Sequence, residues 1–113
     1  MAVATTRIAR PQLQLEARLE NEAIILTNQG DFPLRNARLY LTDPLPEEGK
    51  FPTAYRLRRY DLPAGARDTI PLHRFVSRRG RAFPAGVPPL SLNTSVKVDK
   101  VRYEFHQRFD HEP

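Results

Sequence analysis

The apolar and polar residues of this chain alternate with a period of two in several separate segments. In residues 12–19, leucine or alanine occupies every second position, and glutamine, glutamate or arginine lies between them. The same alternation returns in residues 36–42. Successive side chains of a β-strand point to opposite faces of its sheet, so this period predicts strands with one buried face. A helix would need apolar residues three and four positions apart.

The segment 22–41 is predicted to set the fold. It begins with the apolar and β-branched run 23–27, which is typical of a strand. Turn-forming residues follow at 28–31, with Pro33 just behind them, and the alternating strand 36–42 comes next. We expect the rest of the β-structure to be arranged around this strand–turn–strand unit.

Three more segments are predicted to form strands. Residues 55–60 alternate, residues 68–72 form a short run, and residues 96–105 change phase at Asp99-Lys100. The phase change indicates either a two-residue hairpin or a bulge in one long strand, and we favour the hairpin. Pro71 has no backbone N–H group, which limits its strand to a sheet edge or a strand end.

The connections between these strands carry their own signals. The chain is expected to reverse at Glu20-Asn21, so that the first two strands pair as a hairpin. Two prolines exclude regular structure from residues 43–50. Leu72, Phe75 and Val76 have the spacing of a single helical turn lying on the core.

About seven short strands bounded by turn signals predict an all-β protein, namely an antiparallel immunoglobulin-like β-sandwich with at most one short helical turn. A length of 113 residues fits one domain. We expect a flexible arm at 1–10, a single β-sandwich domain over 11–106 and a polar tail at 107–113. The residues expected to face the core are Leu13, Leu15, Ile24, Leu26, Leu39, Leu41, Tyr55, Leu57, Ile70, Phe75, Phe83, Val96, Val98 and Tyr103.

Four stretches of the sequence resemble a group of uncharacterised bacterial domains with an immunoglobulin-like or fibronectin-type-III-like β-sandwich. They are residues 27–39, residues 62–65, residues 70–72 with Phe75, and residues 80–83. In that group a Thr-Asn pair, a turn and a Leu-x-Asn unit link two core strands, and members often follow a membrane anchor. The resemblance implies this fold and no catalytic residue.

Positive charge is concentrated in the second half of the chain. Residues 1–50 carry 6 basic and 7 acidic side chains, residues 51–113 carry 12 basic and 6 acidic ones, and the whole chain has a net charge of +5. Any electrostatic role therefore belongs to the second half. The candidate anion-binding residues are Arg56, Arg58, Arg59, Arg74, Arg78, Arg79 and Arg81.

These seven arginines have two interpretations. Guanidinium groups stay charged and donate paired hydrogen bonds to phosphate, and the nearby Tyr55, Tyr60, Phe75 and Phe83 would be able to stack on bases. Alternatively, the arginines face solvent and keep a strand edge from pairing with another chain. The sequence favours the second interpretation, because no recognised nucleic-acid-binding motif accompanies the charge.

No combination of residues predicts catalysis, a cofactor or a metal. The chain has no cysteine, which excludes disulfides, thiolate zinc sites and cysteine nucleophiles. His73, His106 and His111 lack a metal-ligand spacing, no serine lies in a glycine-flanked nucleophile elbow, and glycine-rich phosphate loops are absent. We therefore expect a protein that is not an enzyme and holds no cofactor.

Two functional hypotheses follow from the sequence. The first is a non-enzymatic β-sandwich interaction or accessory module with a protein partner, for example the soluble part of a bacterial envelope protein. The alternative is a polyanion-binding module that holds nucleic acid on the basic face between Arg56 and Arg81. No apolar run is long enough to span a membrane, and residues 1–10 lack the apolar part of a signal peptide. We expect a cytoplasmic protein from the chain as it stands, and an envelope protein if an anchor precedes it.

Overall fold

A computed structural model describes residues 11–43 and 53–109 of the chain. These residues form two antiparallel sheets and one short 3₁₀ turn at Leu72–Arg74. The strands are β1 (Leu15–Glu20), β2 (Ala23–Asn28), β3 (Leu34–Thr42), β4 (Ala54–Leu62), β5 (Arg67–Pro71), β6 (Ser91–Val98) and β7 (Val101–Arg108).

The all-β class, the strand number of about seven and the single helical turn are thereby confirmed. The predicted arm at 1–10, the loop at 44–50 and residues 110–113 of the predicted tail lie outside the described residues. The first sheet has the strand order β1-β2-β5 and the second has the order β4-β3-β6-β7. The first and last β-hairpins therefore lie in different sheets.

Both of these hairpins turn through two residues with positive φ. Asp99 and Lys100 have φ of 48° and 67°, and Val98 pairs with Val101 on either side of them. A two-residue turn with both φ positive matches the right-handed twist of the paired strands, and the predicted hairpin is confirmed. The β1–β2 turn lies at Asn21 and Glu22, one residue later than predicted, since Glu20 already pairs with Ala23.

The two sheets share one apolar core. Of the fourteen residues predicted for it, ten are buried, whereas Tyr55, Leu57, Val98 and Tyr103 are only partly buried and pack against its rim. The core also contains eight residues outside that list of fourteen: Ala17, Leu34, Ala37, Tyr60, Leu62, Leu72, Leu92 and Phe109.

Two β-bulges between β3 and β4 explain part of the difference between the predicted and the observed core. Between the pairs Ala37–Tyr60 and Leu39–Leu57, β4 advances three residues while β3 advances two, and the extra residue allows Arg59 to adopt φ of 55°. A bulge shifts the alternation of side chains by one position. Tyr60 was predicted to share the outer phase of β4, but the bulge turns it inward, where it is 5% exposed.

Short segments pair with both outer edges of the four-stranded sheet. On the β4 side, Arg56 and Val76 exchange two backbone hydrogen bonds of 2.7 and 3.0 Å. On the β7 side, the Leu13 N–H donates to Glu104 O at 2.8 Å, and the Glu104 N–H donates to Pro11 O at 3.0 Å. These contacts satisfy backbone groups that an edge strand would otherwise leave open.

The ends of β5 and β7 bear on two sequence predictions. Pro71 is the last residue of β5, which is itself an edge strand, as its missing N–H group predicted. β7 continues to Arg108, and Phe109 is buried, so the sandwich extends past residue 106 into the predicted tail.

Candidate functional site

Residues 75–83 form a tight hairpin, called here the arginine hairpin, on the outer edge of β4. Its two arms are joined by hydrogen bonds from Ser77 N to Arg81 O at 2.7 Å and from Phe83 N to Phe75 O at 2.9 Å. Both phenylalanines are buried in the core. The base of the hairpin is thus fixed on both arms, which restricts the conformational freedom of its tip.

The tip of the arginine hairpin is a hydrogen-bonded turn. The Gly80 N–H donates to Ser77 O at 2.9 Å, and the Arg81 N–H donates to the Ser77 hydroxyl at 3.1 Å. Gly80 adopts φ of 81°, a conformation that strains residues with a Cβ atom. Arg78, Arg79 and Arg81 all project from this turn with exposed side chains. The tip of the hairpin therefore carries three exposed arginines.

The sequence predicted Leu72, Phe75 and Val76 as one helical turn on the core. The 3₁₀ turn covers Leu72–Arg74, and Leu72 and Phe75 are buried as expected. Val76 is 40% exposed, because it leaves the turn in an extended conformation and pairs with β4. The prediction for Val76 was therefore wrong.

A cleft of about 620 Å³, the arginine cleft, lies between the arginine hairpin and the first half of β4. Its volume is in the range of small-ligand sites, roughly 300–1,000 Å³. Its described lining residues include four arginines and two tyrosines but no carboxylate. They are Tyr40, Thr53, Ala54, Tyr55, Arg56, Ser77, Arg78, Arg79 and Arg81.

The structure brings six of the seven candidate arginines to two adjoining clefts. Arg56 lines the arginine cleft together with the three hairpin arginines, and it also lines a neighbouring cleft of about 330 Å³ with Arg58 and Arg74. Arg59 lines neither cleft and occupies the bulge of β4. The pairing of the hairpin with β4 produces this grouping, since it joins residues about 20 positions apart.

Within the described part of the chain, none of these arginines forms a salt bridge; the ion pairs found there join Arg18 to Glu16 and to Glu20. Guanidinium groups that share a cleft repel one another, and partial exclusion of water increases that repulsion. A bound anion would replace this repulsion with charge-assisted hydrogen bonds. The described lining of the arginine cleft therefore carries four positive charges and no negative charge.

The aromatic residues that the sequence placed among the arginines do not all reach the surface. Tyr60, Phe75 and Phe83 are buried in the core, so the suggestion that they stack on bases was wrong. Tyr55 lines the arginine cleft, and its ring packs edge-on against Phe83 with centroids 4.9 Å apart. Tyr40 also lines the cleft and was not among the residues selected from the sequence.

Tyr40 belongs to a row of outward side chains that crosses the whole four-stranded sheet. The register pairs Arg56 with Tyr40, Tyr40 with Asn93, and Asn93 with His106. The His106 Nδ1 and Asn93 Oδ1 atoms are hydrogen-bonded at 2.6 Å. A second, polar cleft of about 270 Å³ lies over the far end of the row, and Tyr40 lines both clefts. Only the strand register shows that these four residues lie side by side, because they are far apart in the sequence.

Histidines, carboxylates and a buried tyrosine are the remaining candidates for catalysis or metal binding. In the portions of the chain that the structure describes, no three side chains of His, Cys, Asp or Glu are grouped to hold a metal ion. His73 follows β5 on the surface, and His111 lies outside the described residues. The Tyr60 hydroxyl donates to Asp68 Oδ2 at 2.8 Å and links the two sheets. Burial, together with this hydrogen bond and the carboxylate charge, raises the pKa of Tyr60, which therefore stays protonated.

No protein-family model, curated protein or solved structure matches the chain. The residues described by the structure include no helix of the length and apolar character needed to cross a membrane.

Proposed function

We propose that this protein is a non-catalytic β-sandwich interaction module that binds a polyanion in the arginine cleft. The observation that carries the proposal is the convergence of four arginines on one cleft whose described lining contains no carboxylate. Arginines that merely kept the domain in solution would be expected to point apart, because separation lowers their mutual repulsion. The anchored hairpin instead places three of them on the lining of one cleft.

A polyanion suits this site better than a single small anion. The arginine cleft adjoins the cleft lined by Arg58 and Arg74, and Arg56 contributes to both. A chain of phosphate or sulfate groups would contact several guanidinium groups in succession, each able to donate two hydrogen bonds. Nucleic acid is the polyanion expected from the sequence, and its affinity would depend steeply on salt because bound counterions are released.

The finer fold assignment is also a proposal. The order of the strands supports an immunoglobulin-like or fibronectin-type-III-like sandwich, since β1, β2 and β5 form one sheet while β3, β6 and β7 lie in the other. Strands A, B and E and strands C, F and G divide in this way in immunoglobulin domains. The fourth strand pairs with β3 and not with β5, which departs from the immunoglobulin constant type.

The cellular setting that the resemblance implies, a bacterial envelope protein with a protein partner, is a second proposal. It rests on the sequence resemblance, with which the two-sheet architecture is compatible. Fractionation of bacteria that express the gene from its own locus would test it. Recovery of the protein in the cytosolic fraction alone would contradict an envelope role and leave the polyanion proposal intact.

The polyanion proposal is tested with a triple variant and a charge-matched control. Arg78→Ala/Arg79→Ala/Arg81→Ala removes three cations from the arginine cleft and leaves the backbone hydrogen bonds of the hairpin in place. The control is Arg18→Ala/Arg67→Ala/Lys97→Ala, whose residues line none of the clefts described above. Both variants lower the formal net charge from +5 to +2.

Binding to heparin and to a fluorescent single-stranded oligonucleotide would be measured over a range of salt concentrations. Four neutralised phosphates predict a slope of log K against log salt of about −3, and the triple variant should approach about −1. The control should bind nearly as the wild type does. Failure of the wild-type protein to bind either polyanion at low salt would refute the proposal, as would an equal loss of affinity in the two variants.

A further inference from the structure

The row formed by Arg56, Tyr40, Asn93 and His106 suggests which polyanion is bound. Neighbouring strands lie about 4.8 Å apart, so the four residues extend over about 14 Å across the sheet. One end of the row lies in the arginine cleft and the other lies in the polar cleft. A cationic end, a central aromatic ring and a hydrogen-bonding end are therefore arranged along one line.

We propose that this row binds the bases of a single-stranded nucleic acid, with Tyr40 stacked on one base and the adjoining phosphates held in the arginine cleft. The inference rests on the proposed polyanion-binding function and specifies the ligand. Proteins that bind single strands combine a positively charged groove with aromatic side chains on which the bases stack. Both components meet at Tyr40, which lines the two clefts.

The chemistry of the polar end fits exposed base edges. Asn93 carries an amide that is able to donate and accept hydrogen bonds, and His106 adds an imidazole ring that also offers a stacking surface. Their mutual hydrogen bond of 2.6 Å fixes the orientation of both groups. In a duplex, the base faces are covered by neighbouring bases, so Tyr40 would have no face on which to stack. A single strand is the form that uses the whole row.

An acidic peptide is the principal competing ligand for a cluster of arginines. A peptide that added itself as a strand to β4 would need the backbone groups of Arg56. Both of those groups are already hydrogen-bonded to Val76. Such a peptide would have to displace the arginine hairpin, whose two arms are anchored by the buried Phe75 and Phe83. The geometry therefore favours nucleic acid over strand addition by a peptide.

A tryptophan placed at position 40 reports directly on stacking. The chain contains no tryptophan, so Tyr40→Trp introduces a single indole whose fluorescence is quenched when a base stacks on it. The probe is an oligo(dT) strand of about 10 nucleotides, a length within the site sizes of about 4–16 nucleotides found in single-strand-binding domains. We expect quenching by oligo(dT) and none by heparin, which carries charge but no bases.

Affinity measurements on Tyr40→Ala and Tyr40→Phe complete the test. Stacking is worth about 1–3 kcal/mol per base, and 1.4 kcal/mol corresponds to a tenfold change, so Tyr40→Ala should weaken oligo(dT) binding about 5- to 150-fold. Its binding to heparin should stay within about twofold of the wild type. Tyr40→Phe keeps an aromatic face and should retain most of the affinity. Circular dichroism and urea unfolding check that each variant is folded.

The outcomes separate this inference from the function on which it rests. Suppose that the wild type binds both heparin and oligo(dT), that Tyr40→Ala binds oligo(dT) equally well, and that the indole of Tyr40→Trp is not quenched. The polyanion function then stands, and base stacking is refuted. Tighter binding of a duplex of the same length, or of an acidic peptide with no dependence on Tyr40, also overturns the inference. If no polyanion binds, both proposals fail together.

Discussion

Removal of the Tyr60 hydroxyl is expected to loosen the contact between the two sheets. Tyr60 lies in β4 of the four-stranded sheet, and its hydroxyl donates to Asp68 in β5 of the other sheet at 2.8 Å. Tyr60→Phe keeps the buried ring and leaves a half-buried carboxylate without this donor. Hydrogen bonds to charged groups contribute about 1.5–3 kcal/mol. Because water reaches part of Asp68 and compensates for some of the loss, we expect the variant to be destabilised by about 1–2 kcal/mol at neutral pH.

The same contact predicts how the difference in stability between the wild type and Tyr60→Phe changes with pH. Burial, the hydrogen bond to Asp68 and the charge of its carboxylate raise the pKa of Tyr60 above the ordinary value of 10.0. Above pH 10 the unfolded chain releases this proton while the folded chain keeps it. The free energy of unfolding of the wild type therefore falls as pH rises, by up to about 1.4 kcal/mol per pH unit from this one group. Tyr60→Phe has no such proton. The loss of stability in this variant relative to the wild type should therefore be complete below pH 10 and should become smaller above it.

Urea unfolding at about pH 7, 9 and 10.5 measures both effects, since these values lie on either side of the ordinary tyrosine pKa. Tyr103→Phe is the control, because Tyr103 is a half-buried tyrosine on the same sheet and its hydroxyl has no hydrogen bond to any other described residue. It should change the free energy of unfolding by less than about 0.5 kcal/mol at every pH. Equal stability of wild type and Tyr60→Phe at pH 7, or a difference that does not change with pH, would refute the reasoning.

Two further predictions concern the core and are measured by the same urea unfolding. Thr94 is 1% exposed, and its hydroxyl has no hydrogen-bond partner among the described residues. Thr94→Val should therefore raise the free energy of unfolding by about 1 kcal/mol. A loss of stability in this variant would show that the hydroxyl is hydrogen-bonded. Phe75 is fully buried at the base of the arginine hairpin, and Phe75→Ala should cost about 3–5 kcal/mol. Val76→Ala, at the neighbouring exposed position, should cost less than about 1 kcal/mol, and similar losses in the two variants would contradict the described packing.

The strands were largely predictable because their signal is local. One buried face imposes alternation on a strand, so β1 and the second half of β3 followed directly from the alternation at Leu13 to Leu19 and at Ala37 to Leu41. The apolar and β-branched run 23–27 predicted β2. Alternation failed where a bulge shifted the phase. Nothing in the residues around Arg59 shows that β4 gains one residue relative to β3, because a bulge is a property of a pair of strands.

The candidate site was only half predictable, for a similar reason. Composition identified the arginines, but whether they converge depends on how the arginine hairpin pairs with β4. The sequence also assigned base stacking to aromatic residues close to the arginines along the chain, and most of these are core residues. Tyr40 comes beside Arg56 through strand register, across 16 positions of sequence. Relations of this kind require the topology of the sheet to be known.

The backbone contacts of Val76 with β4 and of residues 11–13 with β7 have a consequence for the behaviour of this chain at high concentration. Assembly into β-fibrils requires an edge strand with free backbone groups, with which the next copy of the chain can pair. On the four-stranded sheet, a short piece of the same polypeptide covers part of each edge, at Arg56 on β4 and at Glu104 on β7. Fibril growth would therefore begin more readily at the edges of β1 or β5, and the charged side chains of Glu16, Arg18 and Glu20 on β1 disfavour pairing with another strand.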